Sequence, residues 1–486
     1  IYTSYTDTLT LSNISVINHK NLGEHFLGEA AASEVEEVVV QAVRKVDNVT
    51  AVNALKLNAA NAVDGISSAQ LKKTGDSDAA QAMSRITGVS IANGKYIYIR
   101  GIGDRYNKTL LNGAEIPGLD PDKNAVQMDL FPVSIVENIM VSKTFLAELP
   151  ADFAGGVVDI RSKSIPERKG GSVFANLGYN PSMHFNQNYL RHEGGALDFL
   201  GFGHHSRKIP VENLPHFAKV IGEPSGAEGL AYQNALKAFN PTMAAQRGRS
   251  LMDAGFGFTF GDNFKNERRT LGYQVQLGYS NQTEFYSDVV YNRYGLNAAP
   301  TVTQMDRRIG QQGQLGINNV QWNGLAMLGR STKRSSQSLI FMHVQAGESK
   351  TGLFNYKSSD QGATFAGFQH NLEYSQRSLS TVQLIGKNEL GSKELWALDY
   401  VVAPTYSTIN DPDVRLTRYE DRGSFLSIST ESGFPQRIWR EMDEINSTER
   451  INFKRKLKWF GREGELKFGA SHLFKTRNYQ VRTFMI

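Results

Sequence analysis

The second half of the chain alternates between apolar and polar side chains with a period of two. In the clearest run, Leu271, Tyr273, Val275, Leu277 and Tyr279 alternate with glycine and glutamine. A period of two places alternate side chains on opposite faces of a β-strand. Such runs predict nine strands, at residues 172–179, 253–261, 271–279, 319–330, 337–346, 378–388, 395–405, 449–459 and 465–477.

The intervals between these strands are alternately long and short. The long intervals are 180–252, 280–318, 347–377 and 406–448, and the short ones are 262–270, 331–336, 389–394 and 460–464. Outer-membrane β-barrels have this asymmetry, with tight turns at one end and long loops at the other. Alternation by itself would also fit a soluble β-sandwich. A closed antiparallel barrel needs an even number of strands, so nine strands predict only the first part of a barrel.

The region before these strands follows a different pattern. Asp76, Ser77 and Asp78 precede apolar residues spaced three to four apart, which predicts a capped helix that ends at Gly88. Runs rich in β-formers then predict short strands at 96–103, 110–113, 135–141 and 154–160, the second of which enters an Asn-Gly turn. Residues 63–166 are therefore predicted to form a small α+β domain. Residues 51–62 fit a short helix or a polar connector.

Composition narrows the class of protein. The 486 residues exceed one ordinary domain, and 53 Lys and Arg against 48 Asp and Glu leave a mild basic excess. No basic patch with interleaved aromatic residues stands out, so nucleic-acid binding is not predicted. The chain has no cysteine and no apolar run of about 18 residues that would form a membrane-spanning helix. Its 45 glycines, 26 phenylalanines and 19 tyrosines suit a barrel with aromatic girdles.

Motifs for catalysis, metals and cofactors are incomplete. His204 and His205 are adjacent but lack further ligands at zinc-like spacing. The 120–124 run has alternating oxygen side chains, but Ala125 and Phe131 stand where a calcium loop needs glycine and glutamate. The glycines of 101–103 lack the third glycine of a dinucleotide site. We therefore predict no enzyme activity, no cofactor and no metal.

Five segments, in order, resemble the plug domain of TonB-dependent outer-membrane receptors: residues 78–89, 100–106, 111–113, 129–132 and 136–160. The resemblance implies a plug inside the lumen of a membrane β-barrel of about 22 antiparallel strands, of which only the first part is present. It also implies active import of a ligand across the outer membrane of a Gram-negative cell, with TonB and outer-membrane lipids as partners. The loops contain no motif that names the ligand, so iron chelate, vitamin, glycan and peptide all stay open.

The same resemblance divides the chain. Residues 1–32 resemble the tail of a carboxypeptidase-regulatory-like β-sandwich, with a disordered terminus as the alternative. Residues 33–62 form a TonB-box segment and connector, 63–166 the plug, and 167–486 the barrel. Within the TonB box, the predicted TonB-binding residues are Glu37, Val38, Val39, Val40, Gln41 and Ala42. An extended segment of this kind pairs with a sheet edge through its backbone. An ordinary plug strand is the alternative.

Two arginines are predicted to anchor the plug to the barrel. Arg100 follows an apolar strand, so it should be partly buried and need acidic partners. The family resemblance implies that these partners are barrel carboxylates, for Arg100 and Arg105 alike. A solvent-exposed strand end is the alternative for Arg100.

Ligand-binding candidates lie in turns and in the first long loop. Asp104, Tyr106, Asn107 and Asp122 flank plug turns that would face the external vestibule. External loops contribute to ligand sites in the family, which adds Arg191, His204 and His205.

A second function is also compatible with the sequence. The barrel could be a structural subunit of a larger outer-membrane assembly, since a fold does not fix a function. A helix predicted at 227–239 would then contact a surface lipoprotein or another outer-membrane subunit. A retained TonB box favours import, whereas a lumen blocked by loops favours the structural role.

Overall fold

The computed structural model describes residues 49–121, 125–166, 168–211, 221–297, 299, 301–359, 365–391, 395–428 and 435–485. The predicted sandwich tail (1–32), the TonB-binding residues 37–42 and Asp122 lie outside the described residues. The described part belongs to one compact unit, Lys45–Ile486. Among the described residues, no helix is long and apolar enough to cross a bilayer.

The first part of this unit is a small α+β domain, which we call the plug. Its helices are α1 (Val49–Leu57), α2 (Ser68–Thr74) and α3 (Ala79–Met83). Its strands are β1 (Val63–Ser67), β2 (Val89–Ala92), β3 (Tyr96–Ile99), β4 (Lys108–Leu111), β5 (Ala114–Glu115), β6 (Val136–Ser142) and β7 (Val157–Ser162). Five of the strands form one sheet in the order β1-β6-β7-β4-β5, and β2 pairs with β3.

Local sequence signals explain how these elements begin and end. The Asp78 carboxylate accepts a hydrogen bond of 3.0 Å from the backbone N–H of Gln81, which caps α3 as predicted. Asn112 and Gly113 have φ values of 54° and 79° and join β4 to β5 in the predicted Asn-Gly turn. A left-handed φ at both central positions is what a two-residue hairpin turn needs.

The second part is a large antiparallel sheet. Its strands are β8 (Gly170–Gly178), β11 (Asp253–Lys265), β12 (Thr270–Gly295), β13 (Asp306–Ser331), β14 (Ser335–Ser358), β15 (Phe365–Leu390), β16 (Trp396–Asp421), β18 (Gln436–Trp459) and β19 (Arg462–Met485). They neighbour one another in chain order, so all nine predicted strands are confirmed. In the part of the chain that the structure describes, β8 and β19 are the two edges of this path.

Small elements complete the second part. Strands β9 (Tyr189–Arg191) and β10 (Gln246–Gly248) pair with each other, and β17 (Leu426–Ile428) pairs with β16. Helix α4 (Ala227–Ala238) confirms the helix predicted at 227–239.

For three of the four long intervals, the prediction of a loop is wrong. Strands β12 to β16, β18 and β19 run for 24 to 26 residues, so most of 280–318, 347–377 and 406–448 is strand. The strand extensions carry polar residues and glycine on both faces, as in the run 310–314, and period-two alternation is absent there. The interval 180–252 is the one that remains a long connection with only short elements.

The two faces of the sheet differ. Val344 and Leu379 join the hydrophobic core of the plug, and we call the face that carries them the inner face. On the opposite, outer face, Val275 and Phe341 are 39% and 48% exposed. Gln276, the neighbour of Val275, is fully buried on the inner face. The outer face thus exposes an apolar belt, whose members include Phe256, Phe258, Phe260, Leu277, Leu328, Leu339, Val382 and Leu384.

Candidate functional site

The plug lies against the inner face, and its exit marks one end of the sheet. The Asn263 amide donates a 2.7 Å hydrogen bond to the backbone carbonyl of Pro166, where the chain leaves the plug. The short turns of the sheet, such as 266–269, lie at this same end. We call it the near end, and the end that carries the long 179–252 connection the far end.

A buried cluster of charges joins the plug to the inner face. Arg377 of β15 donates to the Asp129 carboxylate of the plug at 2.9 Å and also to the Gln127 amide oxygen. Lys95 of the plug lies 2.7 Å from Glu348 of β14. Arg377 lies 3.9 Å from the same carboxylate, and Lys350 lies 2.6 Å from it. Lys95, Asp129, Glu348, Lys350 and Arg377 form what we call the anchor cluster.

Burial makes this cluster sensitive to the loss of any member. The side chains of Arg377 and Glu348 are 4% and 7% exposed. Burial lowers the pKa of the Lys95 ammonium and Arg377 lowers it further, while Glu348 and Asp129 oppose both effects. The charged form of Lys95 therefore depends on these carboxylates. Removing one partner of a buried ion pair costs about 3–5 kcal/mol, because a charge is left without compensation.

Hydrogen bonds extend the contact along the inner face. The Asn112 amide donates to Gln383 at 2.8 Å, and Gln383 donates back to the backbone carbonyl of Leu111 at 3.3 Å. Further donors from the sheet reach plug backbone carbonyls: Gln321 to Asp129 at 3.2 Å, Thr448 to Glu115 at 3.3 Å, and Arg477 to Gly118 at 3.2 Å. The plug is thus held from β13 to β19.

Arg100, the first of the two arginines predicted as anchors, contacts the plug itself. The Arg100 guanidinium donates to the backbone carbonyls of Lys143 and Gly155, both in the plug. Arg100 has a φ of 53°, and this left-handed turn directs its side chain to the 143–155 connection instead of a sheet carboxylate. Arg105 is exposed, with its guanidinium 5.8 Å from the Tyr106 ring.

One ion pair of the anchor cluster has the opposite polarity to the one expected, since Arg377 is on the sheet and Asp129 is in the plug. The pair of Lys95 and Glu348 has the expected polarity, but its plug cation is not one of the two predicted arginines. Asp129 does belong to one of the five plug motifs. Arg377 has no sequence signal, because it lies in an interval predicted as a loop.

The plug residues proposed as ligand contacts are only partly placed by the structure. Asn107 is 7% exposed, and its amide donates to the carbonyls of Ile97, Ile102 and Gly103 at 3.1–3.2 Å. These bonds give Asn107 a structural role. Tyr106 is exposed next to Arg105. Nothing is described for Asp122, and for Asp104 only the backbone is described.

Beyond the plug, toward the far end, the inner face carries aromatic and amide side chains. The Arg418 guanidinium lies 3.9 Å from the Tyr356 ring centroid and donates to the Gln369 amide oxygen at 3.1 Å. Gln311 donates to the same oxygen at 3.1 Å. The rings of Tyr291 and Phe354 meet edge to face at 5.6 Å. We call these residues, Tyr291, Gln311, Phe354, Tyr356, Gln369 and Arg418, the far inner surface. Sequence reasoning missed them because they lie in the strand extensions.

The long connection packs on the opposite face. Tyr279, Trp322 and Gln345 donate to the carbonyls of Phe199, Leu200 and Gly201 at 2.9, 3.1 and 2.6 Å. These three donors are paired across β12, β13 and β14 and share one face. That face is the outer one, since Gln345 directly follows Val344, which points to the plug. We call the described residues 179–211 and 221–252 the outer segment.

Buried charges fix the outer segment to the strands. Asp413 pairs with Arg415 at 2.7 Å and also with Arg437. Arg415 donates to the carbonyl of Thr242 at 2.6 Å, and Arg437 donates to that of Asn240 at 2.7 Å. The Trp439 indole donates to the Arg207 carbonyl at 2.8 Å.

Arg191, His204 and His205 belong to this segment and therefore lie on the face opposite to the plug. They were predicted as ligand contacts from the first long loop, and they lie apart from the plug candidates Tyr106 and Asn107. His192 is buried beside them, with its Nδ1 2.8 Å from the Thr351 hydroxyl. Burial lowers the pKa of His192 to about 4, so it is neutral near pH 7.

Comparison with a family model assigns the first domain. Residues 56–157 match the model of the TonB-dependent Receptor Plug Domain. The chain thus contains such a plug, and the resemblance carried by its five motifs is confirmed. The matched family consists of outer-membrane receptors, not enzymes, in agreement with the localisation and the class predicted from the sequence. No curated protein sequence matches the chain.

Solved receptor structures are similar only at a distance. The siderophore receptor PiuA from Acinetobacter baumannii is 12% identical, with a TM-score of 0.35 over 86% of this chain and 62% of that receptor. The unliganded ferric citrate transporter FecA is 12% identical, with a TM-score of 0.35 over 89% of this chain and 60% of that transporter. The chain therefore spans about three fifths of the length of these two proteins. Scores at this level support no inference about what this chain binds.

Proposed function

We propose that this chain, which carries a TonB-dependent receptor plug, is part of an active importer that takes up a ligand across the outer membrane. The plug closes the space beside the inner face. The apolar belt of the outer face contacts membrane lipid, as outward apolar residues do in transmembrane β-barrels. The observation that supports the proposal best is the anchor cluster, in which Arg377 of the sheet holds Asp129 of the plug at 2.9 Å.

Opening requires work on this contact. A plug held by buried ion pairs and by hydrogen bonds from β13 to β19 stays in place without external energy. TonB would supply the work by pairing with the backbone of residues 37–42 and pulling on the plug from the near end. Ion pairs suit a contact that must break and re-form, because water can solvate the separated charges.

The ligand would first meet the far inner surface. Tyr291 is exposed and offers a flat apolar contact, and the partly exposed Gln311 and Arg418 offer polar ones. The buried Phe354, Tyr356 and Gln369 contact these three side chains and hold them in place. Such a mixture of aromatic and directed polar groups is typical of small-molecule sites. It favours no single ligand among iron chelates, vitamins, glycans and peptides.

The structural-subunit alternative is supported less well. A blocked lumen would favour it, but the described contacts of the 179–252 connection with the sheet lie on the outer face. The outer segment does offer surface to a lipoprotein or another subunit, including the exposed Leu230 of α4.

The test is a pair of substitutions in the predicted TonB box. Val39→Pro removes a backbone N–H and fixes φ, so it should break strand pairing with TonB. We expect loss of energy-dependent uptake with normal expression, membrane insertion and ligand binding. Val39→Ala keeps the N–H and should be mild. If the ligand is unknown, complementation of the deletion strain is the readout. Full complementation by Val39→Pro, in a strain that the deletion harms, would contradict the importer and favour the structural role.

A further inference from the structure

Exposed aromatic residues mark the boundary between the outer segment and the apolar belt. Phe199 is 56% exposed, and its backbone carbonyl accepts the hydrogen bond from the Tyr279 hydroxyl. The Tyr279 ring stacks on Phe256, the first exposed phenylalanine of the belt, at 5.1 Å. Phe199 therefore lies next to the apolar belt of the outer face, joined to it through Tyr279.

A second group lies where β8 enters the outer segment. Tyr179 follows the exposed Leu177 and is itself 60% exposed. Its ring lies 5.9 Å from the Phe185 ring, and the Arg249 guanidinium lies 5.6 Å from the centroid of the Phe185 ring. We call Tyr179, Phe185, Phe199 and Arg249 the rim patch.

The backbone presents Phe185 at a strained position. Its φ of 56° lies in the left-handed region, which a bulky residue rarely adopts. Its neighbours hold it there: His184 donates its N–H to the Asn180 carbonyl at 2.8 Å, and Asn186 donates its N–H to the Ser250 hydroxyl at 3.0 Å. Strain that persists under such restraint commonly accompanies function. Here its result is an exposed aromatic ring next to Tyr179 and Arg249.

The composition of the rim patch fits the interface between lipid chains and water. Aromatic side chains are enriched at the headgroup level of membranes, and an arginine there can keep its apolar stem in the lipid while its head meets phosphate. Apolar surface lies on one side of the patch, and the buried polar contacts of the outer segment lie on the other. The patch adjoins the belt that we propose to face lipid, which favours lipid over a protein as its partner.

We infer that the rim patch lies in the headgroup region of the outer leaflet, so that the outer segment rests on the membrane and sets the depth of the strands. This inference rests on the proposed membrane function. Asp413 holds Arg415 and Arg437, and these arginines donate to backbone carbonyls of the outer segment and fix it to the strands, as an element that sets the depth requires. The occupant of the patch is thus lipid, with phosphate near Arg249.

Single spin labels test this directly, because the chain contains no cysteine. The complete gene product, with any cysteine outside these 486 residues replaced by serine, would be labelled at one introduced cysteine. It would then be reconstituted into vesicles of phosphatidylethanolamine and phosphatidylglycerol. The variants are Phe199→Cys, Phe185→Cys and Arg249→Cys. Val275→Cys is the lipid-facing control, and Leu230→Cys is the water-facing control on the outer segment. Collision rates with oxygen, which partitions into lipid, and with a water-soluble nickel chelate give the depth of each label.

We expect a graded order: Val275 deepest, then Phe199 and Phe185, then Arg249, with Leu230 in water. Labels at 199 and 185 that the nickel chelate reaches as readily as Leu230 would overturn the inference. Labels there that are shielded from both reagents would also overturn it and indicate a protein partner. A label at Val275 that lies in water would instead contradict the proposed membrane function, so the two failures are distinguishable.

Discussion

Arg377 on strand β15 and Asp129 in the plug form a 2.9 Å ion pair across the boundary between the sheet and the plug. Their positions differ by 248 residues in the sequence, so the pair forms only when both parts of the chain are folded together. Lys95 and Glu348 form a second pair beside it, with the donor and acceptor exchanged between plug and sheet. The contact is therefore reciprocal, and each side neutralises a buried charge of the other.

Replacing Arg377 should loosen the plug. Arg377→Met leaves Asp129 and Glu348 without their shared cation, and we expect a cost of about 3–5 kcal/mol at the plug contact. The variant should admit small solutes across the outer membrane, or expose the plug to protease, more than the parent protein does. Arg268→Met changes an exposed arginine in a short turn of the sheet and is the matched control. Equal leakage and protection in both variants would show that the cluster does not hold the plug.

The pKa of Asp78 predicts a pH dependence of plug stability. Burial is the main cause that raises this pKa to about 6, although hydrogen bonds from Gln81 and Ser77 oppose the rise. Because the folded-state pKa is above the unfolded one, the folded plug binds the proton more tightly. Stability should therefore be highest below about pH 4 for this group and should fall as the pH rises to about 6. The difference is on the order of 3 kcal/mol.

Asp78→Asn should remove this dependence. Asparagine keeps the helix cap but carries no charge, so the variant should be more stable than the parent near pH 7. Hydrogen exchange of the α3 amides between pH 4 and 7, corrected for the intrinsic rate, measures the difference. A parent protein whose protection rises with pH across this window would contradict the assignment.

The sequence predicts the number and order of the strands in the sheet better than their lengths. The apolar alternation around Val275 located a strand because its two faces differ: Val275 is exposed on the outer face, and Gln276 is buried on the inner face. The same strand continues to Gly295, where apolar, aromatic and polar residues are mixed and no period-two alternation marks it. The Asn112-Gly113 turn was predictable because its chemistry is local. Arg377 was not, since the need for a cation arises from Asp129 in a distant part of the chain.

The placement of the 179–252 connection was also beyond the sequence. Its helix α4 was predictable from local spacing, but which face of the sheet it covers depends on partners such as Asp413 and Trp439. These partners lie in an interval that looked like a loop. The sequence therefore predicted Arg191 and His204 as ligand contacts from a loop without indicating that they lie on the outer face.

Asp413 should hold the outer segment in place against the strands. Asp413→Ala leaves Arg415 and Arg437 buried without their carboxylate, again at a cost of about 3–5 kcal/mol. We expect faster proteolytic cleavage within the outer segment while the strands stay protected. Asp443 is a partly buried carboxylate on the face of β18 that also carries Arg437. Asp443→Ala is the control and should leave the cleavage rate unchanged. Identical cleavage of both variants would contradict the role of Asp413.

The most direct test of the central claim is to lock the plug to the sheet. Asn112→Cys and Gln383→Cys place two thiols at side chains that share a 2.8 Å hydrogen bond, and a short bismaleimide can join them. The two single-cysteine variants, treated with the same reagent, control for labelling. If import requires the plug to move away from the inner face, the cross-linked protein should lose energy-dependent uptake, or complementation, while both controls retain it. Undiminished uptake by fully cross-linked protein would contradict the account.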